Sequence, residues 1–177
     1  MALLALGVAS LLAACGVDGT EPYAGWATFA DSEGVYRLRY LAPPWERAAP
    51  ADGGVPLELV VPPVYGSLDA GVPPKYRLTA ELVSGLALPL LQAEVAAMVA
   101  AGGDDLDPPA PFTTRSGDDG FFAVVEDSTH LLFTELVTLV APGGRVLLVR
   151  FEMNEDPRSD LEAAAMLRAI DVRPFGD

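Results

Sequence analysis

The sequence predicts an α+β domain: one antiparallel β-sheet flanked by helices. Three observations lead there. Several stretches alternate apolar and polar residues with the period of a strand. Only two stretches carry a helical period, one mid-chain and one near the C-terminus. Ala141-Pro142-Gly143-Gly144 joins two long apolar runs as a tight turn, which makes neighbouring strands antiparallel.

The elements follow in order. VYRLRYL (35–41) places Tyr36, Leu38 and Tyr40 on one face and Arg37 and Arg39 on the other. Pro43-Pro44-Trp45 stops it, and Trp45 reads as a core plug at the strand end. LELVV (57–61) is a second strand, closed by Pro62-Pro63, and KYRLTAEL (75–82) is a third. The echo between VPPVY (61–65) and VPPKY (72–76) reads as two similar turn-to-strand junctions.

LPLLQAEVAAMVAAGG (88–103) changes period: Leu91, Val95, Met98 and Val99 make one helical stripe. Pro89 suits its first turn and Gly102-Gly103 its end. DDLDPPAP (104–111) reads as a loop. GFFAVVE (120–126), LLFTELVTLV (131–140) and RVLLVRF (145–151) are strands; the last two form a hairpin and are apolar on both faces. The second helix falls in 154–170. Asp156 with Pro157, or the box Ser159 to Glu162, caps it, and Leu161, Ala164, Ala165 and Arg168 share a face. DVRP (171–174) is a short closing strand.

The opening stretch is of another kind. Ala2 to Ala14 carry no charge, and these 13 residues are too few for a membrane span of roughly 20. The length fits the apolar region of a signal peptide. Leu12-Ala13-Ala14-Cys15, followed by Gly16, resembles the lipobox of bacterial lipoproteins. The resemblance implies cleavage before Cys15, a diacylglyceryl thioether on its sulfur and an acylated amino terminus. Two or more chains hold stably where one does not. Met1-Ala2-Leu3 lacks the usual positive segment, so either the start lies upstream or export is inefficient. The expected organisation is a signal peptide over 1–14, a lipidated cysteine and tether over 15–27, and one domain over 28–177. The expected location is the cell envelope. In a Gram-negative host, Gly16 rather than Asp after the cysteine implies the outer membrane, facing the periplasm or the cell surface. Trp26, in the tether, is a candidate contact residue or membrane-interface ring.

Composition narrows the function classes. Against 25 acidic residues stand 11 basic ones, a formal net charge of −14. Such a chain is repelled by phosphate backbones, which argues against nucleic-acid binding. The lone Cys15 allows no internal disulfide and, with a single His130, no zinc site. Neither Gly-x-Ser-x-Gly nor Gly-x-x-x-x-Gly-Lys occurs, and Ser128-Thr129-His130 reads as a surface turn. Two acidic loops, Asp104-Asp105-Leu106-Asp107 and Asp118-Asp119, lack EF-hand spacing. If the fold joins them they could clamp a calcium ion or serve hydrolysis.

The domain as a whole resembles the Mog1/PsbP-like α/β/α sandwich, including lipoproteins of the DcrB type. The residues that carry this are the strand running into Pro43-Pro44-Trp45, the single mid-chain helix, the long hairpin 131–151, and the last helix with its tail through Pro174. The resemblance implies a non-enzymatic role, binding a protein or assisting assembly, with no cofactor. The leading expectation is therefore a lipid-anchored envelope protein, held to the membrane through Cys15, with a protein partner. The alternatives are a calcium-dependent or hydrolytic protein using the acidic loops, and a structural spacer.

Overall fold

The computed structural model describes residues 25–48, 57–62, 74–127, 132–154 and 161–173. Cys15 and its flanks, Ser128 to His130, and the proposed caps at Asp156 and Ser159 lie outside the described residues.

Among the described residues there are nine strands and two helices: β1 (Ala27–Ala30), β2 (Arg37–Tyr40), β3 (Glu46–Arg47), β4 (Leu57–Val61), β5 (Tyr76–Ser84), α1 (Ala87–Ala100), β6 (Asp104–Thr113), β7 (Asp119–Asp127), β8 (Leu132–Ala141), β9 (Arg145–Met153) and α2 (Leu161–Arg168). β1 and β2 form a two-stranded ribbon. The other seven make one sheet in the order β3-β4-β5-β9-β8-β7-β6, with every pairing antiparallel. The α+β class and the antiparallel sheet are as predicted.

The main core lies on the sheet face that carries Leu59, Leu78, Leu147, Val149 and Phe151. The ribbon covers it with Tyr36 and Leu38, and α2 covers it with Met166 and Leu167. A smaller core lies on the other face, where Leu91 and Val95 of α1 meet Ala123, Val125 and Leu136. β9 serves both: Val146, Leu147, Leu148 and Val149 are all buried, as a strand covered on two sides must be. Thr138, wholly buried, donates a hydrogen bond of 3.1 Å to the Ala87 carbonyl and pins the start of α1 to β8.

α1 ends as its glycines dictate. The Gly103 N–H reaches the Met98 carbonyl and the Gly102 N–H reaches Val99, each at 3.0 Å. Gly102 holds φ at 107°, so the helix closes in a Schellman motif. The stripe is shorter than predicted: Leu91 and Val95 are buried and Met98 packs beside them, but Val99 is 42% exposed.

α1 does not cover its whole face. The part over β4 and β5 carries charge instead: the Arg77 guanidinium lies 3.1 Å from Glu58 and 3.5 Å from Glu152. At the border, Arg150 donates to Glu81 of β5 at 2.7 Å and to Glu94 of α1 at 3.0 Å. Burial opposes the Arg150 charge, but these two carboxylates outweigh it and hold its pKa above the ordinary value.

Four further corrections follow. The predicted loop DDLDPPAP is strand β6, at the sheet edge. Proline is tolerated there because an edge strand needs only half of its N–H groups. Register shifts between Asp105 and Asp107, and again before Ala110, absorb Pro108 and Pro109. These prolines and acids also blunt the edge against pairing with another chain. Of the predicted α2 face Leu161, Ala164, Ala165 and Arg168, the side chain of Leu161 lies outside the described residues, Ala164 and Ala165 are half-buried and Arg168 is exposed; among the described residues of α2 the buried side chains are Met166 and Leu167, continued by Ile170. Trp26 packs half-buried against the main core, and β1 starts at Ala27, so this ring belongs to the domain and not to a free tether. Trp45 is 2% exposed, a core plug as predicted. The closing strand reduces to one bridge, Asp171 to Arg37.

Candidate functional site

The two acidic segments do not meet. Asp104 pairs with Glu126 and Thr113 pairs with Asp119, so Asp104, Asp105 and Asp107 sit at one end of the β6–β7 hairpin and Asp118 and Asp119 at the other. No group of three or more His, Cys, Asp or Glu is placed to hold a metal ion among the described residues.

Asp118 has a different task. One carboxylate oxygen accepts hydrogen bonds from the Thr114 hydroxyl at 3.2 Å, the Ser116 hydroxyl at 2.7 Å and the Val172 N–H at 3.1 Å. Ser116 also reaches the Ile170 carbonyl, and the Arg115 N–H reaches Arg168. Asp118 thus fastens the segment after α2 to the β6–β7 turn. Asp118→Ala is expected to cost about 1–3 kcal/mol, because it strands the groups that it satisfies. Asp119, exposed and bonded to Thr113 alone among the described residues, should cost under about 0.5 kcal/mol on the same change. Urea denaturation of the two variants measures the difference.

A cavity of about 420 Å³ opens between the β1–β2 turn and the sheet. Asp31 builds the turn. Its carboxylate accepts the Glu33 N–H at 3.2 Å and the Val35 N–H at 2.8 Å, and Gly34 supplies the positive φ of 69°. Phe29 and Tyr36 enter from the ribbon with ring centroids 5.8 Å apart. Leu82 of β5, Arg145 of β9 and Arg47 of β3 also line it. The Arg145 guanidinium is ion-paired with Glu33. That of Arg47 lies over the Phe29 ring, 5.0 Å from its centroid.

Tyr36 is wholly buried and its hydroxyl has no hydrogen-bond partner among the described residues. Burial, with the Asp31 carboxylate adding to it and Arg47 opposing it, holds the phenol well above its ordinary pKa of about 10. At neutral pH it is therefore a hydrogen-bond donor. The folded pKa is raised, so the stability tied to the neutral phenol is complete below about pH 10 and is lost as pH rises, when the unfolded chain ionises first. Wild type should lose about 1.4 kcal/mol per pH unit above pH 10 relative to Tyr36→Phe. At pH 7 the same variant should match or exceed wild type, because it removes a buried unpaired hydroxyl. Urea denaturation at pH 7 and pH 11 checks both signs.

None of these lining residues stands out in the sequence as a site. They come from 29–36, 47, 82 and 145, and the sheet order alone joins them.

No family model matches the chain, and no curated protein does. Among solved structures, one from Bacteroides thetaiotaomicron VPI-5482 is similar at a TM-score of 0.45 and 11% identity. The match covers 86% of this chain and 50% of that one, so this chain spans about half its length. No described helix is long and apolar enough to cross a membrane.

Proposed function

We propose that the chain is a lipid-anchored cell-envelope protein whose domain acts by binding a protein partner or assisting assembly, without catalysis. The observation that carries the anchor is Leu12-Ala13-Ala14-Cys15 behind an uncharged run. The chemistry of the cavity supports binding over catalysis. A general base needs a carboxylate or imidazole free to take a proton. Here Asp31 is engaged with two backbone N–H groups and Glu33 with Arg145, while the phenol stays neutral. What remains on the cavity wall is the Arg47 guanidinium and apolar surface.

The finer fold reading, a Mog1/PsbP-like sandwich, belongs with this proposal. Its support is α1 on one sheet face, α2 with the ribbon on the other, and the buried Trp45 after Pro43-Pro44. The location proposed is the cell envelope, and in a Gram-negative host the outer membrane, facing the periplasm or the cell surface.

Crosslinking in intact cells tests the role. The full chain should yield a discrete crosslinked protein species from the membrane fraction, and Cys15→Ser should lose both the fractionation and the species. A membrane-anchored chain that crosslinks to nothing beyond background contradicts the partner, and unchanged fractionation of Cys15→Ser contradicts the anchor.

A further inference from the structure

α1 is apolar on both sides, and a helix of that kind is ordinarily covered on both. Its inner side meets the sheet through Leu91 and Val95. Its outer side is bare: Pro89, Ala93, Ala96, Ala97 and Ala100 are all exposed, and of the exposed residues of α1 only Gln92 is polar. The other polar residue of the helix, Glu94, is spent on Arg150. Larger side chains widen this surface. Leu86, the N-cap of α1, is 73% exposed and Val99 lies bare on the helix. Val140 of β8, 60% exposed, stands two residues from Thr138, which bonds the start of α1, so it shares that face of the sheet. An apolar patch of this kind marks a site of interaction.

Charge decides the occupant. Two copies of a chain at −14 repel each other over most of their surfaces, but between Ser84 and Gly103 the only charged residue is the paired Glu94. The two ends of α1 are also complementary. At the N-terminal end no side chain caps the helix and no acid stands in its first turn, so the positive end of its dipole is left uncompensated. Asp119, on the strand beside Val140, bonds Thr113 and does not cap it. At the C-terminal end no base stands in the last turn, and the exposed Asp104 and Asp105 follow. An antiparallel pair of α1 helices related by a two-fold axis sets each acidic end beside the other copy's N-terminal end. The small side chains between let the axes approach to about 8 Å. A lipid surface fits less well. Helices that lie in one carry Lys or Arg on their polar face, and no Lys or Arg falls between Arg77 and Arg115 in the sequence.

We propose that the outer face of α1, extended by Leu86 and Val140, docks a second copy of this chain, α1 on α1 and antiparallel, with the two-fold axis between Ala93 and Ala96. The 14 residues of α1 are only about 21 Å long. The patch is therefore smaller than the roughly 800 Å² per partner of a standard interface, and the dimer is weak and reversible. This adds a homodimer to the proposed binding role and does not rest on the lipid anchor.

The test is sedimentation equilibrium of the purified full chain carrying Cys15→Ser, which removes acylation and disulfide formation together and so keeps the anchor out of the result. A reversible monomer–dimer equilibrium is expected at concentrations up to about 1 mM. Ala96→Arg keeps a good helix former at an exposed position and sets like charges against each other at the centre, so it should weaken the dimer about tenfold or more. Thr28→Arg, exposed on the ribbon across the sheet, should leave it unchanged. Asp104→Asn with Asp105→Asn lowers the net repulsion, yet should weaken the dimer about threefold, because it strips the acids from the facing helix ends. A chain that stays monomeric throughout overturns the proposal. So does a dimer untouched by Ala96→Arg, or one strengthened by the two asparagines. Binding of the Cys15→Ser chain to phosphatidylcholine vesicles that Ala96→Arg abolishes would give the face to lipid and overturn it as well.

Discussion

Gly120→Ala is expected to destabilise the domain by about 3 kcal/mol or more, at the upper end of what overpacking costs. Gly120 is buried in β7, opposite Leu139 of β8. A Cβ there would lie 1.9 Å from the Thr138 carbonyl oxygen and 2.9 Å from Leu139 Cδ2. The oxygen is backbone in an interior strand, and Thr138 also pins α1, so the clash cannot be relieved by turning a side chain. Either the β7–β8 ladder opens or α1 lifts. Gly117→Ala is the control. Its φ of 88° is costly for alanine, yet no atom lies within 4 Å of the added carbon, so the cost should stay near 1–2 kcal/mol, roughly that of left-handed backbone. At about 2–4 °C of melting temperature per kcal/mol, thermal unfolding separates the two. Equal losses would mean that the close approach at Gly120 is not part of the fold.

Trp45→Ala should cost about 3–5 kcal/mol, the range for a large buried ring. The indole stacks on Tyr76 at 6.0 Å and meets the Phe151 ring edge-on at 5.3 Å, and Tyr76 and Phe151 lie 6.2 Å apart. The three rings come from the turn after β2, from β5 and from β9, so one truncation loosens three elements. β3 begins at the next residue, and Arg47 of the cavity is two residues on. Trp26→Ala should cost less than half as much, because that ring is only half-buried at the margin of the core. Urea denaturation followed by fluorescence reads both, since each variant keeps one tryptophan. Similar costs would contradict the assignment of Trp45 as the plug.

The strands that the sequence makes plain are those with enough length to display a period. VYRLRYL and LELVV contain the observed strands β2 and β4, and KYRLTAEL and the hairpin 131–151 overlap β5, β8 and β9 to within two residues at their ends, because burial of alternate side chains writes alternation into the chain. β1 and β3, with four and two residues, are too short to show one. β6 hides behind Pro108, Pro109 and Pro111, which are compatible with an edge strand but erase the usual signal. α2 is misphased because alanine fits a core and a wet face equally well, whereas Met166 and Leu167 decide the packing.

The site is less legible. Asp118 and Asp119 look alike in sequence, and only the fold gives one three hydrogen bonds and leaves the other exposed. The cavity depends on β5 lying beside β9, which brings Leu82 and Arg145 under a turn more than 45 residues earlier in the chain. Tyr36 shows the limit well. Its place on the buried face is written in the alternation of 35–41, but nothing local says that its hydroxyl will find no partner among the described residues.

The central claim is that Cys15 carries the membrane anchor. Intact-mass analysis of the chain extracted from bacterial membranes tests it most directly, with fragmentation to locate the first residue. The account predicts a chain that begins at Cys15 and carries a diacylglyceryl group on its sulfur. A chain that retains residues 1–14 with a free Cys15 thiol would contradict it.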